Sequence, residues 1–199
     1  MVQMENSTKN EIIIVNETPS PTPLGLCAFG MTTILLSLCN AGLIGLTSPI
    51  IGMGVFAGGI ALLITGLIEW KKNNLFGFIT FGGFSFFWLT FVAILLLPVL
   101  GLAAAPSGID MAAFIFVWTL LAIGLLICAY RLRMGTLLVS TLAFLVLLFI
   151  FLIIANAASI ALFTTLGGYA GIITGVLALY IGIAVVVNEV CNESILPLC

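Results

Sequence analysis

Six long apolar runs, each about the length of a membrane-spanning helix, dominate the sequence. A helix rises 1.5 Å per residue, so it needs about 20 apolar residues to cross the hydrocarbon core of a bilayer. Short clusters of turn-forming and charged residues separate the runs. The sequence therefore predicts an all-α integral membrane protein. Its six transmembrane helices are predicted near residues 24–46, 50–69, 75–97, 111–129, 136–155 and 169–188.

The charged residues lie between these runs or at their ends and make up only 6% of the chain. Soluble domains carry roughly 25% charged residues, so the composition indicates lipid as the main solvent. The net charge of -2 gives no basic stripe that could neutralise phosphates, which excludes nucleic acid as a partner. With no histidine and no Cys/His cluster at ligand spacing, we expect no catalytic residue, no metal site and no cofactor.

Basic residues mark two of the predicted loops. Lys71 and Lys72 follow the second run, and Arg131 and Arg133 follow the fourth, whereas the other loops carry neither lysine nor arginine. Because short cytoplasmic loops are enriched in Lys and Arg, both loops and both termini are predicted to be cytoplasmic. We expect a multi-pass protein of the cell membrane, with a cytoplasmic N-terminal tail (1–23), a transmembrane domain (24–188) and a short C-terminal tail (189–199).

Small residues recur at four-residue intervals in the second and sixth runs. Such faces let helix backbones approach closely in lipid, where no hydrophobic effect drives helix association. They are compatible with oligomerisation and equally with packing inside one subunit. The glycines concerned are Gly54, Gly58, Gly167, Gly171 and Gly175.

A proline-rich segment stands at the start of the first run. Ser20 is followed by Pro21, Thr22, Pro23, Leu24, Gly25 and Leu26. This segment resembles the N-P-[AG]-P-L-G-L signature of the acetate uptake transporter family, which includes bacterial succinate–acetate permeases and fungal and archaeal acetate transporters. Residues 38–42, 66–77, 86–101 and 168–188 are also similar, in the same order.

The resemblance implies a six-helix subunit that assembles as a homo-hexamer, each subunit holding a pore for acetate and, in some members, succinate. It further implies a narrow constriction formed by Phe29, Phe84 and Leu145, which align with a Phe, a Tyr and a Leu of the family. Phe84 therefore lacks a hydroxyl that relatives have. Leu62 and Val185 likewise stand where relatives commonly carry Gln and Glu, so the substrate range does not transfer in detail.

Helical periodicity groups polar side chains with these constriction candidates. At 100° per residue, Phe29, Thr33 and Asn40 share one face of the first helix, and Leu145 and Asn156 share one of the fifth. Both asparagines lie about 16 Å beyond their candidate, which predicts an apolar girdle with a polar vestibule on the outer side. In the third helix the face comprises Thr80, Phe84, Trp88 and Phe91. The predicted polar pathway residues are Thr32, Thr33, Asn40 and Asn156.

The function predicted on these grounds is a membrane permease or channel for acetate and related small carboxylates, including succinate. Since no charge lies inside the runs and charges occur only at their ends or between them, the solute is bound weakly by hydroxyl, amide and backbone groups. Two alternatives stay open. The pore could serve ammonium or bicarbonate, or the protein could be a non-transporting membrane scaffold held together by its glycine faces.

Overall fold

The computed structural model describes residues 18–198, and six long helices account for most of them. Each helix is long and apolar enough to cross a membrane, which confirms the predicted six-helix, all-α architecture. The part of the predicted N-terminal tail before residue 18 lies outside the described residues. The helices are α1 (Thr22–Asn40), α2 (Ser48–Lys71), α3 (Leu75–Val99), α4 (Gly108–Arg131), α5 (Thr136–Ala158) and α6 (Ala161–Cys191).

The end of α1 and the start of α6 differ from the prediction. Helix α1 ends at Asn40, short of residue 46, because Gly42 adopts a left-handed φ of +76° that stops the helix. Helix α6 begins at Ala161 instead of near residue 169. Gly168 was predicted to belong to the preceding loop, but it lies inside α6, where its missing side chain leaves room for the backbone of Ala41.

Close helix packing inside the subunit accounts for the repeated glycines. Helix α1 packs along α6, which also packs against α5. A Cβ at Gly175 would lie 2.7 Å from the carbonyl oxygen of Gly30, and one at Gly58 would lie 2.5 Å from the indole of Trp88. The other glycines of the two faces also meet side chains of the same subunit. The structure therefore uses these faces for packing within one subunit.

Two π-helical segments interrupt α2 and α3 beside the buried centre of the bundle. They span Gly54–Ala61 and Phe78–Gly82. The hydroxyl of Ser85 donates a 2.8 Å hydrogen bond to the carbonyl of Gly59 and so joins the two helices next to these segments. Turns of π-helix are frequent at functional sites, because they rotate the side chains that follow them.

A buried carboxylate joins the start of α1 to the turn between α2 and α3. The hydroxyl of Thr22 donates a hydrogen bond of 2.5 Å to the carboxylate of Glu69. The side-chain amide of Asn74 donates a hydrogen bond of 2.8 Å to the same carboxylate. Asn74 also accepts the backbone N–H of Gly77 at 3.1 Å. Only 2% of Glu69 is exposed, so these donors replace the water that its carboxylate loses. The network fixes the proline-rich segment against the bundle.

Candidate solute pathway

Three apolar side chains from three helices meet in the middle of the bundle. Phe29 on α1 and Phe84 on α3 have ring centroids 5.7 Å apart, and Leu145 of α5 belongs to the same buried cluster. All three are at least nine-tenths buried. The structure thus brings together the residues that the resemblance aligned with a constriction.

Two small cavities adjoin these residues, one on each side. We call the cavity nearer Asn40 the upper cavity and the one nearer the two chain ends the lower cavity. Each has a volume of about 30 Å³, room for about two water molecules. Phe29, Phe84 and Leu145 line both cavities, and no other residue between 18 and 198 does so. They therefore form the wall between two successive chambers, which is the geometry of a closed constriction.

A larger cavity continues from the upper cavity toward the bundle surface. It has a volume of about 200 Å³ and shares Leu36, Asn40, Phe87, Phe149 and Leu152 with the upper cavity. Asn156 also lines it and donates a 2.8 Å hydrogen bond to the carbonyl of Leu152. The structure therefore brings Asn40 and Asn156 together in one chamber, which we call the vestibule.

The two neighbouring threonines of α1 face different surroundings. Thr33 lines the upper cavity, as predicted for a pathway residue. Thr32 lines none of the three chambers and instead donates to the carbonyl of Ala28 at 2.8 Å, with the carbonyl of Met53 at 3.5 Å. Successive helical residues point about 100° apart, so only one of the pair can face the cavity. Thr32 lies in the contact between α1 and α2, outside the three chambers, and its role on the pathway stays a prediction.

Residues of the predicted α3 face line all three chambers. Thr80 borders the lower cavity, Trp88 borders the upper cavity and Phe91 borders the vestibule. Phe87 was missed, although it borders both the upper cavity and the vestibule and packs its ring 5.5 to 6.4 Å from six others. Its position three residues after Phe84 is the signal that could have found it.

The lining of the three chambers is apolar apart from neutral polar groups. No charged side chain borders any of them among residues 18–198. Leu62 lines the lower cavity, where the Gln that the resemblance aligns with this position would add a polar group. Val185 does not line the chambers and packs against the core. A solute in these chambers would meet hydroxyl, amide and indole groups but no fixed charge.

The proline-rich segment forms the first turn of α1 below the lower cavity. Pro21 caps the helix and Pro23 lies in its first turn, where the missing N–H of proline costs no helical hydrogen bond. Gly25 leaves room for a phenylalanine ring of α3, and Leu26 lines the lower cavity. Leu24 is half exposed and points away from the core. The segment thus positions one wall of the lower cavity.

Comparison with known proteins shows which family this chain belongs to. The model of the GPR1/FUN34/yaaH family matches residues 5–197. The chain belongs to this family. It is 40% identical over 180 residues to the succinate-acetate/proton symporter SatP of Escherichia coli, covering 90% of this chain and 94% of that protein. A solved structure of the bacterial acetate channel SatP superposes with a TM-score of 0.89 at 39% identity, covering 92% of this chain and 100% of that one.

A fungal relative carries a different name. The ammonia transport outward protein 2 of Saccharomyces cerevisiae is 34% identical over 175 residues, covering 83% of this chain and 61% of that protein. The family resemblance predicted from the proline-rich segment is therefore confirmed, and the chain is a multi-pass membrane protein of a family that contains named transporters.

Proposed function

We propose that this protein moves acetate and related small carboxylates, including succinate, across the cell membrane. The solute passes from the vestibule through the upper cavity, past Phe29, Phe84 and Leu145, and into the lower cavity. The observation that carries this proposal is that, of the residues that the structure describes, these three alone border both small cavities. The 40% identity to a succinate-acetate/proton symporter and the likeness to an acetate channel supply the substrate class.

The neutral lining favours weak binding and passage in the manner of a channel. A conduction pathway must bind its solute strongly enough to admit it and weakly enough to release it. Because no charged group from the described part of the chain borders the chambers, a proton that crosses with acetate travels on the carboxylic acid itself. The protein accordingly acts as a transport protein, with neither enzymatic activity nor a cofactor.

The membrane orientation and the assembly complete the proposal. Lys71, Lys72, Arg131 and Arg133 all lie at the end of the bundle that carries both described chain ends, so this end faces the cytoplasm. The vestibule then opens outward. Following the resemblance, the subunits assemble as a homo-hexamer with one pathway in each subunit.

Uptake of labelled acetate tests the proposed function. Proteoliposomes holding the purified protein are expected to fill down an acetate gradient faster than protein-free liposomes of the same lipid. An excess of unlabelled succinate is expected to slow the uptake, because both carboxylates use the same path. Uptake no faster than in protein-free liposomes would overturn the proposal.

A second candidate solute is ammonium. The yeast relative is named as an ammonia transport protein, and no cationic group among residues 18–198 borders the chambers to favour an anion. Competition against labelled acetate separates the two, since ammonium should compete only if it enters the same path.

The alternative of a non-transporting scaffold rested on glycine faces that hold subunits together. These glycines instead pack against side chains and backbone of the same subunit, so they give that alternative no support.

A further inference from the structure

The chain folds back on the bundle after its last helix. Helix α6 ends at Cys191, and Asn192 then adopts a left-handed φ of +54°, a conformation that asparagine accepts readily at a helix end. The residues that follow run back along α6 toward its middle instead of leaving the bundle. We call residues 195–198 the C-terminal strap.

Two polar side chains of α6 hold the strap. The side-chain amide of Asn188 donates a 2.8 Å hydrogen bond to the carbonyl of Leu196. Its own oxygen accepts the backbone N–H groups of Ile195 and Leu196, both at 2.9 Å. The hydroxyl of Tyr180 donates a 2.9 Å hydrogen bond to the carbonyl of Pro197. Because non-helical backbone near lipid needs partners for its polar groups, these bonds stabilise the strap against α6.

The tip of the strap borders a further cavity, which we call the exit cavity. It has a volume of about 160 Å³, and Leu198 lines it opposite the start of α5. Leu138 of α5 lines both the exit cavity and the lower cavity, so the two cavities lie on either side of this residue. The other residues that line the exit cavity are Met134, Gly135, Leu137 and Ile181.

Helix α5 passes the four cavities in order. Asn156 borders the vestibule, Leu145 borders the upper and lower cavities, and Leu137 borders the exit cavity. The stretch from Leu137 to Asn156 covers about 28 Å at 1.5 Å per residue, close to the hydrocarbon core of about 30 Å. The exit cavity is therefore the last of a series of cavities that crosses the membrane, and the strap lies at its end.

We propose that the C-terminal strap is a gate at the cytoplasmic end of the pathway. Bound to Asn188 and Tyr180, the strap closes the exit cavity, and the cavity opens when the strap lifts away. The inference rests on the proposed function and its membrane orientation. A few neutral hydrogen bonds hold the strap, so it can detach locally while the six helices stay folded. The gate acts in series with the constriction, and flux scales with the fraction of time that the strap is lifted.

Tyr180→Phe tests the gate by removing one of the bonds that hold the strap while keeping the ring. The ratio of lifted to closed strap should rise by about twofold to tenfold, the effect of one hydrogen bond. Uptake of labelled acetate into proteoliposomes should rise by the same factor, since the closed strap predominates. A chain that ends at Ser194 lacks the strap, and its uptake should rise at least as much.

Tyr169→Phe is the matched control, because it removes the same hydroxyl from the same helix. Tyr169 is 50% exposed and lines none of the four cavities, so uptake should stay at the wild-type level. Tyr180→Phe should also lower the melting temperature by about 2 °C, because a made hydrogen bond is lost. Faster uptake together with lower stability is the pattern that a purely structural role for the strap would not produce.

The outcomes separate the gate from the proposed function. If the wild type takes up acetate but Tyr180→Phe and the shortened chain take it up no faster than Tyr169→Phe, the gate is overturned and the proposed function stands. If neither the wild type nor any of these variants exceeds protein-free liposomes, both are overturned. Faster uptake by Tyr180→Phe and by the shortened chain than by Tyr169→Phe supports the gate.

Discussion

Phe84→Ala and Phe29→Ala are each expected to raise acetate flux by about tenfold or more, since a barrier lowered by about 1.4 kcal/mol speeds passage tenfold. The two rings lie 5.7 Å apart and separate cavities of about 30 Å³. Removing either ring joins the two cavities through the space that the ring occupied and leaves a thinner apolar wall. Larger carboxylates that the wild type excludes should then also pass. Uptake of labelled acids into proteoliposomes measures both effects.

The matched control is Phe86→Ala, which removes the same ring from the same helix. Phe86 is 55% exposed and lines none of the three chambers, so flux should stay at the wild-type level. Truncating a buried Phe costs about 3 to 5 kcal/mol of stability, so Phe84→Leu serves as a milder variant that should raise flux less. Equal flux in Phe84→Leu, Phe84→Ala and the wild type would remove Phe84 from the pathway.

Gly175→Leu is expected to prevent the protein from folding. Gly30 on α1 and Gly175 on α6 face each other, and a Cβ at either would lie 2.7 Å from the other's carbonyl oxygen. A larger side chain must push α1 away from α6, and α1 also carries Phe29 and Thr33. The smaller change Gly175→Ala should lower stability by about 1 to 3 kcal/mol, the usual cost of overpacking. Melting temperature and yield of monodisperse protein in detergent measure both variants.

Gly124 provides the comparison for this prediction. It lies in α4, is exposed, and has open space where a Cβ would stand. Alanine is favoured over glycine in a helix by about 1 kcal/mol, so Gly124→Ala should leave the melting temperature unchanged or raise it. If Gly175→Ala melts at the same temperature as Gly124→Ala, the close approach of α1 and α6 does not limit stability.

The number of helices could be predicted from the sequence because charge and hydropathy alone decide which segments enter lipid. The start of α6 could not be predicted in the same way. Gly167 and Gly168 suggest a turn when they are considered locally, yet both lie within a helix because Leu152 of α5 and Ala41 after α1 occupy the space beside them. That information resides in tertiary packing.

The candidate pathway was predictable in outline and not in detail. Phe29, Phe84 and Leu145 followed from the family resemblance, and helical spacing placed Thr33 beside Phe29. The same spacing could not exclude Thr32, since positions three and four residues after Phe29 both lie near its face. Phe87 was missed because the predicted face followed the four-residue steps from Thr80 to Phe84 and Trp88, whereas the position three residues after Phe84 also lies near that face.

Reversible chemical block of the constriction tests most directly whether acetate passes between Phe29, Phe84 and Leu145. Phe29→Cys, in a chain whose native cysteines are replaced by serine, is reconstituted and treated with a thiol-specific methanethiosulfonate reagent, with Phe86→Cys as the lipid-facing control. Modification at position 29 should reduce acetate uptake to that of protein-free liposomes, and a reducing agent should restore it, while the control stays unaffected. Undiminished uptake after complete modification at position 29 would show that acetate does not pass between Phe29, Phe84 and Leu145.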